Sequence, residues 1–200
     1  MSDESLASAG ARRSLVFLLE DASMKVLLEG LLPRIVPADV DCTLVSHDGK
    51  ADLDKSIPKK LRAWQDKRAS FVIVRDQDSA DCKVVKARLE AICAEASDRP
   101  VLIRIACREV ESWYLADLSA VDGAFGTSLA PRQNQKKYRA PDYLGAPSDE
   151  LVRLVPEFSK VSGARSIAPF LDLDNVRSSS FRHFVSGLRR LITRTSEPQS

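Results

Sequence analysis

The chain has 200 residues, is 44% hydrophobic and 29% charged, and carries a formal net charge of +2. That balance excludes a disordered or low-complexity chain and suits one sizeable α/β domain, or a compact domain with an appended subdomain. It lacks the strong basicity that would by itself imply nucleic-acid binding, so any such function has to rest on local patches.

The opening "MSDESLASAGARR" has no basic start followed by an apolar core, so residues 1–13 read as a disordered tail and not as a signal peptide. "SLVFLLED" (Ser14–Asp21) reads as a buried strand. "SMKVLLEGLLPRI" follows at helical spacing, with Met24, Leu27, Leu28, Leu31 and Leu32 in one stripe and Pro33 ending it. "VDCTLVSH" (Val40–His47) alternates into a second strand, and "DGK" supplies a turn in which Gly49 is free to take a positive φ. "IPKKLRAWQDKR" reads as a helix with Pro58 near its first turn.

"FVIV" (Phe71–Val74) is a third strand, and "SADCKVVKARLEAICAEA" is a helix with Val84, Val85, Leu89, Ile92 and Cys93 at apolar positions. "PVLIRIAC" (Pro100–Cys107) is a fourth strand, and "REVESWYLADL" resumes helical spacing. The order β-α-β-α-β-α-β-α predicts an α/β core over residues 14–121, with a mostly parallel four-stranded sheet flanked by helices. Residues 122–147 are rich in Gly, Pro and polar residues and read as a long loop. Helical patterns return in "SDELVRLVPEF", "ARSIAPFLDL" and "SFRHFVSGLRRLI". Residues 122–192 are therefore expected to form a loop and a helical C-terminal extension packed on the core, and residues 193–200 a flexible tail.

A parallel sheet delivers every strand's C-terminal end to one edge, where ligands characteristically bind. The first strand is followed by Glu20 and Asp21, the third by Asp76 and Asp78, and the fourth by Glu109 and Glu111. Carboxylates within about 4–6 Å of one another repel unless a cation intervenes, and hard oxygens suit Mg²⁺ or Mn²⁺. Such a site would polarise a phosphodiester and activate water. The alternative is capping: Asp78 or Ser79 is placed to cap the following helix, and Asp81, Glu109 and Glu111 fall near helix starts.

In "PRQNQKKYRAP", Arg132, Lys136, Lys137 and Arg139 surround Tyr138, a pattern that suits a phosphate backbone and a stacked base; Arg182 would extend the patch. A solvated loop is the plainer reading. The four cysteines form no CxxC pair and there are two histidines, which argues against zinc and against a Cys nucleophile. There is no GxxxxGK[ST], so the chain is not expected to be an ATPase itself. No apolar run reaches the roughly 18–20 residues of a membrane span, and a cytoplasmic protein is expected.

"FLLEDASMKVLLEGLLPRI", "HDGKADLDKSIPKKL", "FVIVRDQDSADCKVVKARL", "VLIRIACREVESWYLADLSAV" and "GARSIAPFLDLDNVRSSSFRHFVSGLRRL" together resemble the DUF4276 family, a bacterial family considered Toprim-like. The resemblance implies a Toprim-type α/β fold. It also implies a Mg²⁺ site in which Glu20 takes the place of the family's Glu and Asp76 and Asp78 that of its Asp-x-Asp, while Glu109 and Glu111 match its acidic pair before Trp113. Asp21 stands where many Toprim proteins have Gly, which changes how closely a phosphate could approach. The function implied is nuclease-like processing of DNA or RNA. The alternatives are a non-catalytic partner of a separately encoded ATPase in a mobile-element or phage-defence system, or a small-nucleotide binder.

Overall fold

Five successive buried residues, Leu15 to Leu19, begin the sheet and explain its place at the centre of the molecule. In the computed structural model, which describes residues 13–194, the strands are β1 (Arg13–Leu19), β2 (Val40–Ser46), β3 (Ser70–Asp76) and β4 (Val101–Ala106). All pairings are parallel, in the order β2-β1-β3-β4. The two central strands are almost wholly buried, whereas β2 and β4 keep half-exposed positions, as edge strands of a covered sheet should.

The period-2 alternation divides the core into two layers. Val16, Leu18, Phe71 and Ile73 face α2 (Lys50–Ala63) and α3 (Cys82–Ala96). Leu15, Phe17, Leu19, Val72 and Val74 face α1 (Ala22–Leu31) and the C-terminal half. That half contains α4 (Glu111–Leu115), α5 (Leu118–Phe125), α6 (Lys136–Arg139), α7 (Pro147–Leu154), α8 (Lys160–Ile167) and α9 (Ser179–Arg194). On α9 the expected stripe of Phe181, Phe184, Val185, Leu188 and Ile192 is buried. Trp113 packs against Phe181 and Phe184 at centroid distances of 5.2 and 5.3 Å and donates its indole N–H to Ser180 Oγ at 2.9 Å. Ser178 caps α9, its Oγ accepting from the Phe181 amide at 3.1 Å.

The winding of the sheet positions the site. From β1 the chain passes through α1 to β2 on one side; α2 then carries it back to β3 on the other side of β1. The reversal falls at the C-terminal ends of β1 and β3, where sheets of this winding characteristically leave a crevice.

Three expectations differ from the structure. Pro58 lies well inside α2, beyond its first turns, where it lacks the N–H that would otherwise reach back one turn. The helical signal of "REVESWYLADL" is split into α4 and α5 because Asp117 caps α5, accepting from the Ala120 amide at 3.1 Å. Residues 122–147 form short helical turns in place of a plain loop. Gln133 pins them: its buried amide accepts from Leu118 N–H at 2.7 Å and donates to the carbonyls of Leu115 and Tyr138 at 3.1 and 2.9 Å. Of the expected tails, Arg13 opens β1 and Thr193 and Arg194 complete α9, while residues 1–12 and 195–200 lie outside the described residues.

Candidate functional site

Glu20 immediately follows β1 and Asp76 closes β3. The two meet across the crevice: Glu20 Oε2 accepts from the Asp76 backbone N–H at 3.0 Å. Asp76 is buried, and its Oδ1 accepts from the Val110 amide at 3.0 Å, which ties the start of α4 to the end of β3. Arg75 places its Nε 3.9 Å from Glu20 Oε2, but its guanidinium is committed to Asp54, with Nη1 donating to Oδ1 at 3.1 Å.

Backbone bonds continue the β3–β4 pairing past the strands, from Gln77 N–H to the Ala106 carbonyl and from Asp78 N–H to the Arg108 carbonyl, each 2.9 Å. Asp78 and Arg108 both take left-handed conformations, with φ of 56° and 61°. Asp78 does not cap α3. Asp81 does, accepting from the amides of Lys83 and Val84 at 2.7 and 3.2 Å, and this leaves the Asp78 carboxylate free to pair with Lys50 Nζ at 2.8 Å.

On the other side of Asp76, Glu111 is 1% exposed, and its Oε2 has no hydrogen-bond partner among the described residues. Its Oε1 lies 3.7 Å from Lys160 Nζ, delivered by the first residue of α8. The buried hydroxyl of Tyr114 is likewise unpartnered and feels the charges of Glu111 and Asp76. Glu109 is turned to a structural task, its Oε2 accepting from the Ser148 amide in the first turn of α7 at 2.9 Å. Asp21 caps α1, accepting from the Met24 amide at 2.8 Å.

The electrostatics follow from this crowding. Burial, and then the charges of Glu111, Glu20 and Asp21, push the Asp76 carboxyl well above the usual carboxylate range. Glu20 is raised by burial and by Asp78, against the hydrogen bond from Asp76. Glu111 is raised by burial and relieved in part by Lys160. The lysines answer the acids: Lys50 is raised by Asp78, and Lys160, despite its burial, by Glu111, Glu109 and Asp76. A row of carboxylates thus crosses the crevice with a lysine at each end. Among the described residues, no three acidic, His or Cys side chains close into a ready-made metal cage.

The basic segment is built differently from its expected form. Tyr138 is fully buried and gives its hydroxyl to Glu150, so it cannot stack on a base. Lys137 pairs with Glu150 at 2.9 Å, and Arg132 lies over the Tyr138 ring, 5.7 Å from its centroid. Lys136 and Arg139 remain exposed and line a cavity of about 810 Å³ with Tyr143 and Leu144, while Arg182 is exposed on α9 apart from that lining. The thiols of Cys42, Cys93 and Cys107 are pushed up to about 11, chiefly by burial, a property of packing residues and not of nucleophiles.

Residues 19–189 match the profile of DUF4276, a domain of unknown function. The chain belongs to the DUF4276 family. The C-terminal region of the Burkholderia pseudomallei OLD protein has a similar structure, with a TM-score of 0.57 and 17% identity over 90% of this chain and 98% of that one. The corresponding region of the Xanthomonas campestris pv. campestris OLD protein gives a TM-score of 0.52 and 16% identity over 93% and 98%. A search of curated proteins finds no match. These likenesses establish the fold of this DUF4276 member as Toprim-like α/β. No helix among its described residues is long and apolar enough to cross a membrane.

Lys50 and Lys160 were not legible in the sequence as parts of the site. Lys50 follows the "DG" turn and Lys160 opens an unremarkable helix, so only tertiary packing reveals them.

Proposed function

We propose that the chain is a Mg²⁺- or Mn²⁺-dependent phosphodiester-processing protein of nuclease type, acting on DNA or RNA at the carboxyl edge of its sheet. The observation that carries this reading is the meeting of Glu20 and Asp76 at the reversal point of the sheet, joined by a 3.0 Å hydrogen bond. Mg²⁺ commonly binds through one or two carboxylates and keeps several waters, so a pair of acids such as Glu20 and Asp76 suits it without a closed cage. The unpartnered Oε2 of buried Glu111 is a further sign that the site fits a cation.

Glu20 and Asp76 would hold the ion, with Asp78 and Glu111 completing its surroundings and Glu109 setting the position of α7. When bound, the ion supplies Lewis-acid polarisation of a phosphoryl oxygen and a more acidic water. Glu111, whose carboxyl is raised by burial, holds a proton more tightly than an ordinary glutamate and would serve to take up or release one beside the substrate. Lys160 places positive charge beside the same acids and stabilises negative charge growing on phosphate oxygens.

The test is a calorimetric Mn²⁺ titration of the wild type against the Asp76→Ala, Asp78→Ala double variant, paired with cleavage of supercoiled plasmid and single-stranded RNA. Binding and cleavage lost together support the assignment; unchanged metal affinity in the double variant overturns it.

A second reading is favoured by one observation: the matching structures are C-terminal regions of OLD proteins, so there the fold is part of a longer chain. The chain would then act with a separately encoded ATPase. Co-purification of such an ATPase with a protein inert on nucleic acid would support this reading.

A further inference from the structure

We infer that the cavity beside α6 holds an unpaired nucleotide of single-stranded nucleic acid, its base stacked on Tyr143 and its backbone phosphates on Lys136 and Arg139. The inference deepens the nucleic-acid reading above and rests on it for the class of polymer.

The cavity, about 810 Å³, is of the size that takes a small organic group, and its lining joins the apolar Ala140 and Leu144 to the cationic Lys136, Lys137 and Arg139. Two of its cations have no carboxylate partner among the described residues. Lys137 is committed to Glu150, but Lys136 and Arg139 stand exposed. Asp142, the one acid between residues 135 and 144, is buried and turned away, accepting from Ser178 Oγ at 2.7 Å and from the Ser180 amide at 2.9 Å. The exposed charges that this segment contributes, Lys136 and Arg139, are therefore positive.

Tyr143 is 87% exposed. A lone exposed aromatic is ordinary on a protein surface. This one differs in its mounting: it sits on a 3₁₀ turn (Pro141–Tyr143) whose other two residues are buried, with its amide donating to the Ala140 carbonyl at 3.2 Å. The backbone that carries the ring is thus held in place, and stacking on the ring sacrifices little backbone entropy. Bases inside a duplex are already stacked on each other and offer no face to a surface tyrosine, so the geometry selects a single strand. An acidic peptide would use the lysine and arginine but has no need of the ring.

The experiment uses the full chain in EDTA, so that binding is read without cleavage. Fluorescence anisotropy follows a fluorescein-labelled 12-mer of deoxythymidine and, separately, a labelled 12-base-pair duplex. Tyr143→Ala is expected to weaken single-strand binding about tenfold, Tyr143→Phe to retain it, and duplex binding to be weaker and indifferent to Tyr143. Lys136→Ala with Arg139→Ala should lower the slope of log affinity against log salt by about 1.4. Unchanged single-strand affinity in Tyr143→Ala, equal losses on duplex, displacement by oligoglutamate as effective as by oligonucleotide, or no binding by the wild type would each overturn the inference. The acidic-site reading is judged separately by the Mn²⁺ titration, so the two fail independently.

Discussion

The Asp76 amide donates a 3.0 Å hydrogen bond to the Glu20 carboxylate, locking the ends of the two central strands together where the sheet changes its direction of winding. The bond brings one acid onto the backbone of another, and Asp76 then reaches the Val110 amide through its own Oδ1. The crevice is therefore held by its acids as well as burdened by them.

Replacing Asp76 by Asn should separate these two effects. The amide oxygen can still accept from Val110, while a buried negative charge between Glu20 and Glu111 is removed. In EDTA at pH 8 the variant should gain about 1 kcal/mol, a rise in Tm of about 2–4 °C for a chain of this size. It should also lose Mn²⁺ binding by calorimetry. A lower Tm would contradict the electrostatic account of the site.

The pH dependence of stability follows in sign. Glu20, Asp76 and Glu111 all have folded-state carboxyls raised above their ordinary values of 4.5, 3.8 and 4.5. A raised acid binds its proton more tightly in the folded state, so its contribution is present below the unfolded value and is lost as pH rises through the folded one. Metal-free protein should thus melt higher near pH 5 than near pH 8. A Glu20→Gln, Asp76→Asn, Glu111→Gln variant should flatten that difference, and Mn²⁺ affinity should increase over the same range. Glu150, depressed to about 2, loses its contribution only as pH falls below 4.5 and does not disturb this window.

Asp78 carries a positive φ of 56°, a conformation glycine adopts without steric cost. Asp78→Gly forfeits only an exposed ion pair with Lys50 and should stabilise the fold by about 0.5–1 kcal/mol. The same variant should weaken Mn²⁺ binding. A decrease in Tm by differential scanning calorimetry would show that the Lys50 contact matters more than the strain.

Lys160→Gln tests the cation at the other end of the row. If its ammonium stabilises charge on the substrate, kcat for nucleic-acid cleavage should fall about 10²-fold while Mn²⁺ affinity is held or improved. A change confined to KM would assign it to substrate binding alone.

Gly163 shows how α8 is seated. A Cβ there would lie 2.1 Å from the buried Phe158 ring, which itself meets Tyr114 and Phe125 edge-on. Gly163→Ala should cost about 1–3 kcal/mol by overpacking and shift α8, and with it Lys160. Chemical denaturation reads the first effect and the pH profile of cleavage the second.

The alternation of β-rich runs and amphipathic helices made the sheet legible, because each run buries a face whose period is local. The acids were legible for a related reason: each follows a strand, and parallel strands share an edge. The lysines were hidden, since nothing near Lys160 in the chain speaks of Glu111. In the "KKYR" segment the aromatic reads as exposed by company, whereas Gln133, five residues before it, and Glu150, twelve residues after it, draw Tyr138 inward. Tyr143, the ring that does face solvent, lies past a Pro-Asp pair that gives no periodic sign of it.

One layer of the core is completed only by the last third of the chain. Leu15, Phe17 and Val74 share a cluster with Ile167, Phe181 and Leu188, so the sheet's inner face stays wet until α8 and α9 arrive. A ribosome releasing this chain delivers all four strands and their acids first, and the layer that covers them, with Lys160, afterwards. A fragment ending at Val121 would be a sticky intermediate, prone to capture by chaperones or by its own kind. Any nuclease chemistry would thus be withheld from the nascent chain and granted only to the finished one.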